Sequence, residues 1–295
     1  MKKVSLYIPC FNVENYIGQC LESVLNQSYQ IDEIMVIDDG STDKTVDIVS
    51  HYNVKIIRHQ HNKGIAATRN TAFKIAKNDF VAALDADCSA SKHWLETLMN
   101  SFTDRTIAGV GGALLEKGTA SHADRWRAVH MIQNWGTNIV HDPPFLFGSN
   151  TLFIKSFVLR AGAYNTFFKI NSEDIDLSSR MKAQGYNLLY NPNAAVNHLR
   201  NDTTTSVLLS FWHWNRLRYI NLNSMHSITR YIATYIGKSS YFINTIIHPL
   251  QHDIKNKYYS LLFIDILLIF YYPLLNICCF ILFILRSTAW KKKSL

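Results

Sequence analysis

The 295-residue chain has too little of several residue types to be anything but a packed globular protein. Six prolines and 12 glycines exclude a collagen or a Pro/Gly-rich low-complexity chain, and 18% charged against 48% hydrophobic residues exclude intrinsic disorder. The five cysteines (10, 20, 88, 278 and 279) are odd in number and form no CxxC, so neither a disulfide framework nor a zinc knuckle is written in them. Reduced thiols of a cytoplasmic protein are the expectation. No GxGxxG opens a helix and no GxxxxGK[ST] occurs, which excludes a dinucleotide fingerprint and a P-loop NTPase. The opening MKKVSLYIPCFN meets Pro9 and polar residues too soon to be a signal peptide.

The net charge of +8 is unevenly placed. Residues 1–199 hold 19 Lys and Arg against 19 Asp and Glu, while residues 200–295 hold 11 Lys and Arg against Asp202, Asp253 and Asp265. A neutral body with a basic tail argues against nucleic acid as a partner, whose footprint belongs on a folded face. The tail adjoins an apolar block, and Ile266–Leu285 is a run of 20 residues without a charge, long enough to span a bilayer. Lys255 and Lys257 precede the block; Arg286 and Lys291, Lys292 and Lys293 follow it. Membrane association through 258–295 is expected, against the alternative of a buried core helix. Pro273 sits mid-block and can break a helix there, so a re-entrant pair of half-helices stands beside a simple span and an in-plane helix.

In the body, short apolar runs alternate with helical patterns, the mark of βα units and a largely parallel sheet. Strands are expected at Val4–Ile8, Glu33–Ile37, Lys55–Ile57, Phe80–Leu84 and Gly109–Leu115. Helices are expected after an Asn12 cap, from Asp43, over Ile65–Lys77 and from the 171–177 segment to Gly185. The acidic pairs Asp38-Asp39 and Asp85-Ala86-Asp87 each follow an apolar strand. Open α/β sheets bind ligands at the carboxyl ends of their strands, so both pairs can converge on one pocket.

Each candidate has a chemical and a plain structural reading. Asp85 and Asp87 suit a hard divalent cation, whose shell phosphate oxygens and water complete; alternatively they are a surface turn. Asp39 can accept a hydrogen bond from a nucleobase imide, with Phe11 as a stacking face or as core. Arg69 and Lys63 can offer charge to a diphosphate. Glu173, Asp174 and Asp176 crowd a helix start, where they favour the local dipole or supply a general base.

Five segments in order carry a resemblance: Pro9-Cys10-Phe11-Asn12, VIDDGSTDKT (36–45), NKGIAATRN (62–70), LDADC (84–88) and SEDIDL (172–177). Together they resemble the family 2 inverting glycosyltransferases of the GT-A fold, over roughly residues 3–200. The resemblance implies a nucleotide-sugar donor, usually a UDP-sugar, and Mn²⁺ or Mg²⁺. It implies Pro9, Phe11, Asp39, Arg69, Asp85 and Asp87 at the nucleotide sugar and Asp87 at the metal, with His198 near diphosphate and metal or else structural. It implies Asp174 as the base that deprotonates the acceptor.

The QxxRW of processive members is missing, and Phe211-Trp212-His213-Trp214-Asn215-Arg216-Leu217-Arg218 is the nearest stretch. Transfer of one sugar to a saccharide or lipid-linked saccharide, at the cytoplasmic face of the cell membrane, is therefore expected. The expected parts are a nucleotide-sugar-binding half (1–115), an acceptor half (116–200), a helical extension (201–257) and the membrane segment (258–295). The alternatives are an inactive, membrane-bound relative and a haloacid-dehalogenase-like phosphatase.

Overall fold

A computed structural model describes residues 2–117, 120–217 and 239–293. The chain divides into two units, Met1–Gly118 with Ile132–Arg200, and Thr119–Met131 with Asn201–Leu295. The helix His122–His130, expected in the acceptor half, thus belongs to the second unit.

The first unit is built on one mixed sheet. Its strands are β1 (Val4–Cys10), β2 (Glu33–Asp38), β3 (Lys55–Arg58), β4 (Phe80–Leu84), β5 (Cys88–Ala90), β6 (Ile107–Glu116), β7 (Val140–His141), β8 (Asn150–Ile154) and β9 (Asn187–His198). The order is β3-β2-β1-β4-β8-β6-β9-β5, with β7 on β9. The expected parallel character holds across β3, β2, β1 and β4. Beyond β4, β8 runs antiparallel to both neighbours, and β9 is parallel to β6 but antiparallel to β5 and β7.

Period-2 alternation along β1 sends its side chains to two cores. Val4, Leu6, Ile8 and Cys10 meet Ile17, Leu21 and Val24 of α1 (Ile17–Leu25) and Trp94 and Leu98 of α4 (Trp94–Asn100). Tyr7 faces the other way, into a cluster with Phe73 of α3 (Ile65–Ile75), Val158 of α6 (Lys155–Arg160) and Leu177 and Met181 of α7 (Glu173–Ala183). Both faces of the sheet are covered, which is why β1 reads as a near-continuous apolar run. The glycines of β6 serve close packing: a Cβ on Gly112 would stand 1.8 Å from the Ala194 carbonyl oxygen of β9.

Asn12 does not cap α1, which begins at Ile17 with Tyr16 before it. Asn12 has φ 53°, and its side-chain oxygen accepts from the Thr42 N–H at 2.8 Å. Its own N–H donates to Ser41 Oγ, and Val13 N–H donates to Thr45 Oγ1 of α2 (Thr45–Ser50). The side chain that could have capped a helix instead joins the loops after β1 and β2.

The second unit is helical. In it α5 (His122–His130) carries a capping box, Ser121 with Asp124. Its Trp126 is buried with Val207, Leu208, Phe211 and Trp212 of α8 (Thr204–Leu217) and with Ile264, Leu268 and Tyr272. Trp212, in the stretch nearest to QxxRW, lies in this core and donates from its indole N–H to Asn276. The Arg216 side chain and Arg218 lie outside the described residues.

The helix Leu262–Lys293 runs unbroken through Pro273, so two half-helices do not form. Proline removes one N–H bond, and the remaining ladder carries the helix past it. Tyr259–Cys278 is long and apolar enough to cross a membrane, with mean hydropathy 2.1.

Candidate active site

The strand order creates the site's location. From β1 the chain steps outward to β2 and β3, then returns to the other side of β1 as β4, so the order reverses between β1 and β4. The crevice at the carboxyl end of such a switch point is where open α/β sheets take ligands. β1 pairs with β4 only as far as Tyr7 but with β2 as far as Cys10, so Pro9 lies beyond the last β4 partner. Phe11 follows at the strand's end and is 44% exposed.

At the end of β2, Asp39 is buried and held by the chain itself. Its Oδ1 meets His59 Nδ1 at 2.7 Å and accepts the Lys63 N–H at 2.9 Å, while Oδ2 accepts the Gly64 N–H at 2.8 Å. Three of a carboxylate's roughly four acceptor positions are thereby taken. Gly64 is there for a backbone reason. Its φ is +92°, and a Cβ would lie 2.7 Å from the Lys169 backbone.

Asp85 and Asp87 stand after β4 on either side of the buried Ala86. Asp85 Oδ1 accepts from Arg69 Nη2 at 3.0 Å, and the same guanidinium donates from Nε to Glu173 Oε1 at 3.1 Å. Arg69 is buried, and its third contact is the Tyr7 hydroxyl at 3.4 Å. The arginine expected at a diphosphate is thus engaged with protein groups, and it joins the turn after β4 to the start of α7. Burial raises Asp85 above the ordinary carboxylate range, against the pull of Arg69 and with the push of Asp87.

Asp87 has a different partner. Its Oδ2 lies 3.2 Å from His198 Nε2, and His198 Nδ1 lies 2.8 Å from Glu116 Oε2. Sheet register explains the row, since His198 of β9 pairs with Cys88 of β5 and with Glu116 of β6. Burial alone would raise Asp87 and lower His198. The hydrogen bonds and opposite charges overturn both, taking Asp87 to about 2 and His198 to about 9. Without a metal, His198 is an imidazolium between two carboxylates.

The acids at the head of α7 divide by partner. Glu173 is buried on Arg69, and Asp176 pairs with Arg180 Nη2 at 2.6 Å. Asp174 takes backbone N–H groups, from Gly148 to Oδ2 at 3.0 Å and from Ile175 to Oδ1 at 2.8 Å. Among the described residues no Lys, Arg or His lies at ion-pair distance from it. Burial raises the Asp174 carboxyl above its usual range, and the Gly148 N–H and the Arg69 charge only partly offset this.

Sequence reasoning missed the partners: His59, Glu116, Gly148, and Glu173 as the acid held by Arg69. It also missed Trp135, Phe145 and Phe147. Their rings pack at 5.0, 5.4 and 4.9 Å, and the Trp135 indole N–H donates to the Phe145 carbonyl. Phe147 is half-buried and directly precedes Gly148.

The glycosyl transferase family 2 profile matches residues 5–166. The pre-mycofactocin glycosyltransferase of Mycobacterium tuberculosis is 31% identical over 174 residues, covering 56% of this chain and 37% of that protein. Chondroitin synthase of Escherichia coli is 38% identical over 104 residues, covering 34% of this chain and 15% of that protein. The chain therefore spans well under two thirds of the length of these relatives. Among solved structures, the mannosyltransferase PcManGT from Pyrobaculum calidifontis, in complex with GDP-Man and Mn²⁺, superposes with a TM-score of 0.58. It covers 90% of this chain and 73% of its own, at 17% identity, a likeness of fold.

Proposed function

The chain belongs to glycosyl transferase family 2 and has the GT-A fold, and we propose that it transfers one sugar from a nucleotide-sugar donor, a UDP-sugar first, to a hydroxyl of a saccharide or lipid-linked saccharide. The observation that carries this reading is Arg69, which ties Asp85 on the donor side to the Glu173-Asp174 pair on the acceptor side.

The donor's base is proposed to stack on exposed Phe11 beside Pro9, with its imide read at Asp39, where one acceptor position is left. Asp85 faces the sugar and ribose, held in orientation by Arg69. The residues fit a divalent cation. Asp87 brings hard oxygen donors and is partly open, with 28% of its side chain exposed, and His198 stands on its Oδ2. Asp87 and His198 would hold Mn²⁺ or Mg²⁺, which when bound neutralises negative charge on the leaving diphosphate. His198 must give up its imidazolium proton to serve as a ligand. PcManGT, a likeness of fold, is described in complex with Mn²⁺, which supports a divalent cation here.

Asp174 is proposed as the general base. The Gly148 and Ile175 N–H groups fix its carboxylate, and its burial makes it a stronger base than a solvated aspartate. It takes the acceptor proton while the acceptor oxygen attacks the anomeric carbon opposite the leaving group, which inverts that centre. Trp135 and Phe147, next to Gly148, offer aromatic faces for the acceptor sugar.

Association with the cytoplasmic face of the membrane is supported by one helix. Leu262–Lys293 buries Ile264, Leu268 and Tyr272 but exposes Phe263, Ile266, Phe270, Leu274, Ile277 and Ile281. That spacing of three and four residues makes one outward apolar stripe, with basic residues at the helix end to meet anionic head groups.

The test is a donor screen in detergent with Mn²⁺ and a membrane lipid extract, reading released nucleoside diphosphate. The reading requires release from one donor class that needs the extract and disappears in Asp174→Asn. Release of inorganic phosphate instead would establish the phosphatase alternative.

A further inference from the structure

A second cluster of ligand-type side chains lies in the helical unit, built from residues the proposed transfer does not use. His130 ends α5, and His252 and Asp253 lie near the end of the helix Ser239–Lys255. One ligand atom from each of the three falls within 4.8 Å of the others. Asp253 is fully buried, and its Oδ1 lies 3.0 Å from His130 Nε2 and 2.9 Å from His252 Nδ1. Asp265, also fully buried, stands within hydrogen-bonding reach of Asp253, while its Oδ1 accepts the Trp126 indole N–H at 2.7 Å.

The polar accounting of this cluster does not close. His130 Nε2, Asp253 Oδ2 and Asp265 Oδ2 are buried and accept or donate no hydrogen bond. His130 Nε2 sits at hydrogen-bonding distance from Asp253 but off the ring N–H direction. Among the described residues no Lys or Arg pairs with either carboxylate. Two buried carboxylates and an orphaned imidazole nitrogen in one place cost several kcal/mol if nothing joins them. A proton shared by Asp253 and Asp265 would satisfy the carboxylates and leave His130 Nε2 orphaned. A cation satisfies all three.

We propose that His130, His252 and Asp253 bind a zinc-type divalent ion, with Asp265 beside Asp253. Two imidazoles and carboxylate oxygen are a zinc donor set. Ligand atoms on a tetrahedral zinc at about 2.0–2.1 Å stand roughly 3.3 Å apart, near the 3.0 and 2.9 Å from Asp253 Oδ1 to the two imidazole nitrogens. The His252 side chain, 35% exposed, is the route by which the ion enters. Held by side chains of both elements, the ion clips α5 to the helix Ser239–Lys255 within the helical unit. It is independent of the transfer chemistry proposed above.

The test uses full-length protein in detergent, carrying Asp87→Ala so that the strand-end carboxylates do not contribute, stripped with chelator and titrated with Zn²⁺ and with Co²⁺. One equivalent of Zn²⁺ is expected to bind and raise the melting temperature, and Co²⁺ to show the visible absorption of a tetrahedral site. Adding His252→Gln, at a half-exposed position that folding tolerates, should leave the metal-free circular dichroism and melting temperature unchanged. It should weaken Zn²⁺ binding by about tenfold or more and abolish the melting shift. Absence of Zn²⁺ binding by the folded protein would overturn the proposal. So would equal affinity and equal melting shift in His252→Gln and His130→Gln.

Discussion

Arg69 and Asp85 are bonded Nη2 to Oδ1 at 3.0 Å, and the arginine that makes this bond is buried. Its Nε reaches Glu173, so one guanidinium sets both the carboxylate after β4 and the first residue of α7. Removing it leaves the Asp85 carboxylate without its cation and Glu173 without its hydrogen-bond donor. Arg69→Met is expected to cost about 3–5 kcal/mol in denaturant unfolding, the usual result of breaking a buried pair. Adding Glu173→Leu should recover part of that loss, which a double-mutant cycle reads.

The division of partners at the head of α7 makes the three acids unequal in function. Asp174→Asn is expected to lower transfer by about 10²–10⁴-fold with donor-diphosphate affinity within a few-fold of wild type. Asp176→Asn, which breaks only the Arg180 pair, should retain turnover within a few-fold. Single-turnover assays of both variants check this. The reverse ranking would move the base to Asp176.

The pH dependence follows from Glu173 and Asp174. Burial, then the Asp174 charge, raises Glu173 to about 8 against the pull of Arg69. Its folded value exceeds its unfolded one, so the folded state binds the extra proton between about 4.5 and 8. The associated stability is present below that window and is lost as pH rises through it. Wild-type stability minus that of Glu173→Gln should therefore fall from pH 5 to pH 8. A base works ionised, so transfer falls as pH drops, with an acid limb above the ordinary aspartate value.

The apolar stripe gives a membrane prediction. Phe263→Ser with Phe270→Ser, both on the outward face, should reduce flotation with anionic vesicles by about tenfold or more and leave donor hydrolysis in detergent unchanged. Undiminished flotation would place the contact elsewhere.

How far the sequence could be read depended on the range of the interaction involved. Strands β1, β2 and β4 and the acids at their ends were legible, because apolar alternation and the residue that follows a strand are local signals. Asp39, Asp85, Asp87, Asp174 and His198 were picked out on that basis and by resemblance. Which side chains pair with which was not. Arg69 with Glu173, Asp87 with His198 and Asp39 with His59 pair across 104, 111 and 20 residues, and no periodicity carries such pairs. Asn12 misled for a related reason. Local capping favours Asn before a helix, but a loop-to-loop bond to Thr42 took its side chain. Pro273 misled in the other direction, since one missing hydrogen bond does not stop a long helix.

The most direct measurement is calorimetric titration of wild type and Asp87→Ala with UDP, GDP and dTDP, each with and without Mn²⁺. The account requires wild type to bind one of these diphosphates only with metal, and Asp87→Ala to lose that metal dependence together with the affinity. Metal-independent binding of equal strength in both proteins, or no binding of any diphosphate to folded wild type, would contradict it.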